Sequence, residues 1–356
     1  MLYIVLTTGQ CNLRCKYCGG SFHPNLVPWE IKYSADRLRE FISSDPDPII
    51  AFYGGEPLLN VEFIREVMKC SAKFVIQTNG TLIRRLEPEY WLRFDAVLLS
   101  IDGRRWVTDY YRGAGIHDRV VDAAEWLRTV GFENDLIARM AVSERSDIFL
   151  DVKHLLSLNL FDHIHWQLDT IWSSSWRDFE GWCETSYMPG ISRLVCFWID
   201  EARKGRVLGL VPFVAILKMM IKNEKANCSP CGAGVNSLSI LTNGDVIACP
   251  IALDVKWAKL GNISNGAAAQ MLGKVKIGEP CVSCGYVRYC GGRCLYAHHE
   301  RLWGEKGFNK ICEVTAHMIN ELTKIKDEAL FLLDRNILSM RKMDYPVFNN
   351  TTEIIP

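Results

Sequence analysis

Strand-like runs recur at residues 2–6, 49–53, 74–78, 96–101, 136–142 and 163–168, most of them apolar, and each has the length of a strand. Between them the pattern turns helical. Ser34 is placed to cap a helix over 35–42. Asn60 is placed to cap one over 61–70, where Val61, Ile64, Val67 and Met68 fall on one face. Further helices are predicted over 118–130, stopped by Gly131, over 148–158, and over 191–204, followed by Gly205. Strand alternating with helix implies parallel strands joined by right-handed crossovers. Six such units make an α/β chain with a partial (β/α)6, TIM-like barrel. Its functional residues are expected at the C-terminal ends of the strands.

From about Asn227 the texture changes: cysteines become dense and helical spacing fades. Residues 238–241 and 246–249 flank Thr242-Asn243-Gly244-Asp245, a strong hairpin signal. Helical spacing returns over 313–338, with a polar tail after Met343. The expected organisation is a barrel at 1–226, a small cysteine-rich domain with a β-hairpin at 227–312, and a C-terminal helix and tail at 313–356. No internal repeat or low-complexity tract is visible.

Composition narrows the function. The chain has 356 residues, with 41 Lys and Arg against 41 Asp and Glu, so no net field argues for nucleic acid or a membrane surface. The longest apolar run, 207–217, contains Pro212 and is too short to span a bilayer. Residues 1–8 lack the basic start and cleavage site of a signal peptide, so a cytoplasmic location is expected. Fourteen cysteines in such a chain point to metal rather than disulfides. Cys70, Cys183 and Cys196 fall outside any motif and read as inert thiols.

The first motif is Cys11-Asn-Leu-Arg-Cys15-Lys-Tyr-Cys18, directly after the first strand and followed by Gly19-Gly20. Three thiolates at C-x3-C-x2-C can hold three corners of a cubic iron–sulfur cluster and leave one iron open. On the triplet alone, a zinc loop with a distant fourth ligand is an equal alternative. The second strand is followed by Gly54-Gly55-Glu56-Pro57. Loop, strand context and turn together resemble the radical S-adenosylmethionine (SAM) superfamily. The resemblance implies a [4Fe-4S] cluster on Cys11, Cys15 and Cys18, with the amino and carboxylate groups of SAM on its open iron. It puts Gly54, Gly55, Glu56 and Pro57 against the methionine amino group. Asn79, after the third strand, and Ser100 and Asp102, after the fourth, match positions that line the SAM site. Arg112 and Arg139 both stand as partners for the SAM carboxylate, because guanidinium grips carboxylates bidentately. Gln167 is a weaker candidate for the adenine or substrate side.

The second cysteine field reads C-x2-C at Cys228 and Cys231, Gly244-x4-Cys249, then Cys281-x2-Cys284-x5-Cys290-x3-Cys294, and finally Cys312. Alone, the C-x2-C pairs would suit zinc knuckles equally well. The full order resembles the SPASM extension of radical SAM enzymes, which carries two auxiliary [4Fe-4S] clusters. Carried over, Cys228, Cys231, Cys249 and Cys294 hold one cluster. Cys281, Cys284, Cys290 and Cys312 hold the other. Both would be fully ligated.

The activity implied is reductive cleavage of SAM to a 5′-deoxyadenosyl radical. That radical takes hydrogen from a peptide or protein in crosslinking, oxidation or epimerisation. The auxiliary clusters then suit the removal of an electron from the substrate radical. The stretch Cys290-Gly-Gly-Arg-Cys294-Leu-Tyr-Ala looks most like an archaeal-type, peptide-modifying subfamily. An electron donor such as ferredoxin or flavodoxin is expected. With a first strand at Leu2, a leader peptide falls to the barrel edge, the C-terminal helix or a separate leader-binding protein. Trp166, Trp172, Trp176 and Trp182 fit either a peptide groove or packing under a long loop, and packing is the expectation. Three other functions compete. In sulfatase maturases the base is an aspartate directly after the hairpin cysteine, and here Pro250 follows Cys249. An oxidative enzyme of haem synthesis would use a tetrapyrrole, with His298 and His299 as contacts, although paired histidines after a cysteine loop usually lie at the surface. A non-enzymatic iron–sulfur electron carrier would not cleave SAM.

Overall fold

The structure, a computed structural model, describes residues 1–170, 176–301 and 303–345. Six strands appear where the apolar runs place them: β1 (Leu2–Leu6), β2 (Ile49–Tyr53), β3 (Lys73–Thr78), β4 (Ala96–Ser100), β5 (Asp135–Val142) and β6 (His163–Leu168). The architecture is the α/β one expected. Six parallel strands form a partial TIM-type barrel, followed by an antiparallel hairpin and a long C-terminal helix.

The chain forms two compact units that alternate along the sequence. The first comprises Met1–Ile101, Thr108–Ile137 and Cys231–Lys276. Its strands run in the order β4, β3, β2, β1, then β7 (Ser237–Ile240), β8 (Asp245–Ile247) and β9 (Lys259–Asn262). The parallel register sets Ile4 opposite Ala51 on one side and Ser239 on the other. The hairpin strand β7 therefore extends the sheet through β1, and β8 pairs antiparallel to it through Ile240 and Val246. Parallel strands covered on both faces need apolar side chains throughout, and all five residues of β1 are buried. Phe52 on β2 packs parallel to Phe74 and edge-on to Phe94, with ring centroids 6.1 Å away in both cases.

The second unit comprises Asp102–Val107, Ala138–Pro230 and the chain from Ile277. The helix Gly304–Asp334 packs there against the helices Met188–Arg203 and Val211–Ile221. It buries Val314, Met318 and Leu322. Trp166 donates its indole N–H to the Tyr187 hydroxyl at 2.9 Å. Tyr187 stacks on Trp182 at 5.3 Å, and Trp182 meets Trp176 at 4.8 Å. These three tryptophans belong to a packed aromatic cluster, while Trp172 lies outside the described residues.

Several boundaries differ from the pattern for local reasons. The helix expected from 191 belongs to a longer helical run from Phe179, in which a π-helical stretch, Cys183–Tyr187, precedes Met188–Arg203, and Pro189, which lacks an N–H, falls directly after that wider turn. The apolar run at 207–217 overlaps a buried helix, Val211–Ile221, with Pro212 in its first turn, where no N–H is needed. The C-terminal helix starts at Gly304 rather than 313, which makes Cys312 helical. The helix Arg105–Arg112 was not anticipated, since Arg104, Arg105 and Asp109 hide its apolar face. Among the described residues no helix is long and apolar enough to cross a membrane.

Phe52 sits fully buried between two rings. Phe52→Ala should cost about 3–5 kcal/mol, read from the urea midpoint. A loss below about 1 kcal/mol would mean that the β2 face closes over the gap.

Candidate active site

The loop that carries the first three cysteines is held by backbone contacts from the β2 exit. The Gly55 N–H donates to Thr8 O at 3.1 Å and the Glu56 N–H to Gln10 O at 2.7 Å. A Cβ on Gly54 would stand 2.4 Å from Thr8 O, and one on Gly55 would stand 2.0 Å from Gln10 O. Gly54 also has φ +136°, a conformation that L side chains rarely adopt. Both glycines are therefore demanded by the protein itself, through the segment leading into Cys11. Pro57 starts the short turn Pro57–Asn60, and its carbonyl accepts from the Thr7 hydroxyl at 3.2 Å.

Glu56 has its carboxylate turned inward. It accepts from Leu58 N–H at 3.1 Å, Thr78 Oγ1 at 2.6 Å and Asn79 N–H at 2.8 Å. Burial pushes its pKa up to about 7, and those three donors pull the other way. The carboxylate thus fastens the end of β3 to the turn after β2. Asn79 extends the chain of bonds. Its Nδ2 donates to Asn12 Oδ1 at 2.9 Å and lies 4.0 Å from Cys11 Sγ, and Thr81 donates to its Oδ1.

Cys15 is buried, Cys11 half-buried and Cys18 exposed. Burial pushes Cys11 up to about 11. A hydrogen bond from Cys15 pulls Cys18 down to about 7 against the effect of burial, with Gly20 N–H and the Arg112 charge adding to the pull. Arg112 is placed by the end of its helix. The neighbouring Tyr111 carbonyl accepts from Lys16 N–H at 2.9 Å, and the guanidinium lies 5.4 Å from the Tyr17 ring centroid. Arg112 therefore stands beside the cysteine loop, in the first unit. Ser100 is buried at the end of β4. Asp102, Arg139 and Gln167 belong to the second unit. There Asp102 Oδ1 accepts from Ala141 N–H at 2.9 Å, and Arg139 donates to Gln167 Oε1.

The second cysteine field falls into both units. Cys231 and Cys249 belong to the first, while Cys228 and Cys294 belong to the second. Cys281, Cys284, Cys290 and Cys312 all belong to the second, and all four line one pocket of about 60 Å3. Cys294 and Arg293 line it as well, with Val287, Phe308 and Ile311 among its apolar walls. Burial pushes Cys281 up to about 11 and Cys290 up to about 12, and Arg293 pulls back on Cys290. Gly291, at φ +62°, lets the Cys290 turn touch the Cys228 carbonyl, where a Cβ would stand 2.2 Å away. Five thiols line these walls with one guanidinium, and four of them are enough to suit a thiolate-bound iron–sulfur cluster. Among the described residues, no three His, Cys, Asp or Glu side chains converge on a single-ion site.

Thr78 is not among the residues the sequence singles out, and His298 is placed differently from its expectation. Thr78 reads as the last strand residue, and nothing in its spacing shows the bond to Glu56. His298 is buried against Cys281 rather than lying at the surface, although His299 is exposed. Its place one helical turn after Cys294 was the available signal.

Comparison with known proteins agrees with this geometry. Residues 5–144 match the family model described as the radical SAM superfamily. The mycofactocin maturase MftC of Mycolicibacterium smegmatis is 27% identical over 318 residues, 82% of this chain and 76% of that protein. A cysteine-type anaerobic sulfatase-maturating enzyme of Clostridium novyi is 23% identical over 283 residues, 68% of this chain and 71% of that protein. The structure of native anSMEcpe with bound AdoMet superposes with a TM-score of 0.73 at 18% identity, covering 92% of this chain and 100% of that one. Streptococcus suis SuiB bound to its precursor peptide SuiA gives 0.58 at 17% identity, covering 84% and 73%.

Glu56→Gln keeps the shape but sets an amide N–H against a backbone or hydroxyl donor. It should destabilise the fold by about 1–3 kcal/mol, measured by thermal or urea unfolding. An unchanged midpoint would show that the inward carboxylate does not hold β3.

Proposed function

We infer that this chain, which belongs to the radical SAM superfamily and is related to the SPASM-domain peptide maturases, modifies a peptide or protein substrate. The observation that carries the reading is the three-thiol loop held from the β2 exit by Gly54, Gly55 and Glu56. Cys11, Cys15 and Cys18 would hold a [4Fe-4S] cluster with one iron left for SAM. When bound, cluster and SAM supply reductive cleavage and a radical able to take hydrogen from an inert carbon.

The chain's own residues position and enclose that chemistry. The glycine turn fixes the height of Cys11, and Glu56 with Asn79 locks the β3 end against Asn12. Arg112 is assigned the SAM carboxylate, because it stands by the cysteine loop and a guanidinium matches a carboxylate in charge and shape. Arg139, already bonded to Gln167, is better suited to shaping the substrate side. Ser100 and Asp102 keep the roles that the resemblance gives them, in lining the SAM site. Cys281, Cys284, Cys290 and Cys312 would hold one auxiliary cluster, and Cys228, Cys231, Cys249 and Cys294 the other. An external one-electron donor of the ferredoxin or flavodoxin class is required.

The peptide substrate is supported by the maturase relatives and by the precursor peptide bound in SuiB. Sulfatase maturation is the second reading, favoured by the similarity to the sulfatase-maturating enzyme of Clostridium novyi. Pro250 after Cys249 removes the aspartate that this activity would need there. The haem reading loses His298, whose two ring nitrogens face Gly278 and Cys281.

Anaerobic protein reconstituted with iron and sulfide should release 5′-deoxyadenosine from SAM with dithionite. Changing Cys11, Cys15 and Cys18 together to Ala should abolish that release, and persistence of the nucleoside in that variant would remove the basis of the reading. Peptides encoded beside the gene, followed by mass spectrometry, should lose two hydrogens on oxidation or crosslinking, or take up deuterium on epimerisation. A silent peptide set together with conversion of a sulfatase peptide would move the assignment to the second reading.

Arg112→Ala should raise the KM for SAM about tenfold to a hundredfold, the worth of one charge-assisted contact of about 1.5–3 kcal/mol. An unchanged KM would transfer the carboxylate to another residue.

A further inference from the structure

We propose that His298 is a positioning residue for the Cys281, Cys284, Cys290 and Cys312 site. Its Nδ1–H donates to Cys281 Sγ and raises the reduction potential of the iron–sulfur cluster held there. The proposal rests on the reading that this pocket takes such a cluster.

The helix Leu295–Glu300 sets the ring in place. Cys294 is its N-cap, with its Sγ accepting from Ala297 N–H at 3.5 Å. One turn later, His298 N–H donates to the Cys294 carbonyl at 2.9 Å. The ring is buried, with Phe308 edge-on at 6.5 Å. Both ring nitrogens are engaged by a single short segment. Gly278 N–H points at Nε2 from 3.0 Å, and Cys281 Sγ lies 3.5 Å from Nδ1. That segment is itself tight, since Cys281 N–H donates to the Gly278 carbonyl at 3.1 Å.

The tautomer follows from these partners. A backbone N–H can only donate, so Nε2 must be the acceptor. A neutral imidazole has one donor and one acceptor, so the proton sits on Nδ1. Nδ1–H therefore faces the Cys281 sulfur and can only donate to it. Arg301 adds positive charge near Cys281, while Glu279, Cys284 and Cys312 oppose it. A hydrogen bond to a ligating sulfur stabilises the reduced, more negative cluster more than the oxidised one, which raises the potential. The step affected would be uptake of one electron from the substrate radical, and the imidazole transfers no proton.

The test uses this chain with Cys11, Cys15 and Cys18 changed to Ala, reconstituted anaerobically with iron and sulfide. The reduced fraction of each remaining site is followed by electron paramagnetic resonance at fixed applied potentials. His298→Leu should lower the reduced-to-oxidised ratio of one site about tenfold, equivalent to 59 mV for one electron. The other auxiliary site should not move. His298→Asn places an amide N–H where Nδ1–H stood and should restore the ratio. His298→Gln places its amide at the Nε2 end and should not. If the Leu variant loses its iron, the Asn and Gln variants still decide. Equal ratios in Asn and Gln, or in Leu and the parent, overturn the proposal. Zinc in place of iron in the parent chain would instead overturn the cluster reading beneath it.

Discussion

The structure depends on a backbone contact too close for any side chain. The β2 exit lies against the β1 exit so tightly that Gly54 and Gly55 have no room for a Cβ beside the Thr8 and Gln10 carbonyls. Everything built on the loop from Cys11 to Cys18 inherits its position from that approach. Two parallel neighbours, β1 and β2, thus deliver their C-terminal ends as one rigid edge, and the hydrogen bonds Gly55 to Thr8 and Glu56 to Gln10 continue the ladder past the strands. A glycine turn is usually read as a feature made for a ligand. Here the first ligand of the turn is the protein's own backbone, and any role toward SAM comes on top of a structural necessity.

Burial of polar groups around that edge follows one logic. Glu56 is removed from water, which by itself costs several kcal/mol for an ionised carboxylate. Three donors, two of them backbone N–H groups, offset that cost and leave the group poised between its charged and neutral forms. Such a residue stabilises by direction more than by energy. Any neighbour that shifts leaves a lone pair or a donor stranded. That is why β3, the Asn79 turn and Asn12 on the cysteine loop are tied in one bonded line rather than packed as independent pieces.

The chain announced its fold in some places and concealed it in others, for physical reasons. Strands β1 and β2 are legible to the residue, because parallel strands buried on both faces must be continuous apolar runs, and β6 is legible through its alternation of Ile164, Trp166 and Leu168 with His163, His165 and Gln167. Ser34 and Asn60 act as the caps they resemble, with side-chain oxygens accepting from Arg37 N–H and Phe63 N–H. The cysteine order, by its resemblance to the SPASM extension, groups Cys281, Cys284, Cys290 and Cys312, and these line one pocket together with Cys294, which the same resemblance assigns to the other group. Other facts depend on tertiary contact and leave no local trace. The start of the last helix hides behind Gly304 and Gly307, which lower its propensity until packing decides. The choice between Arg112 and Arg139 turns on which strand end or helix end faces the loop, and no periodicity encodes that. His298 looked like half of a surface pair because the two rings are adjacent in sequence, while the helix turns one inward and the other out.

Burial raises the cost of thiolates in both cysteine regions. At the first loop it pushes Cys11 up, while a hydrogen bond from Cys15 and the charge of Arg112 pull Cys18 down. In the second pocket, apolar walls push Cys281 and Cys290 far above neutrality. Those thiols lose their protons only as a metal replaces the charge, so binding there must release protons and must grow stronger with pH. The segment around Gly278, Cys290 and Gly291 is short of apolar core and rich in turns. Its order is consequently coupled to the group it holds, whereas the first loop is tied by protein contacts, at the β2 exit, at Asn79 and at the Tyr111 carbonyl.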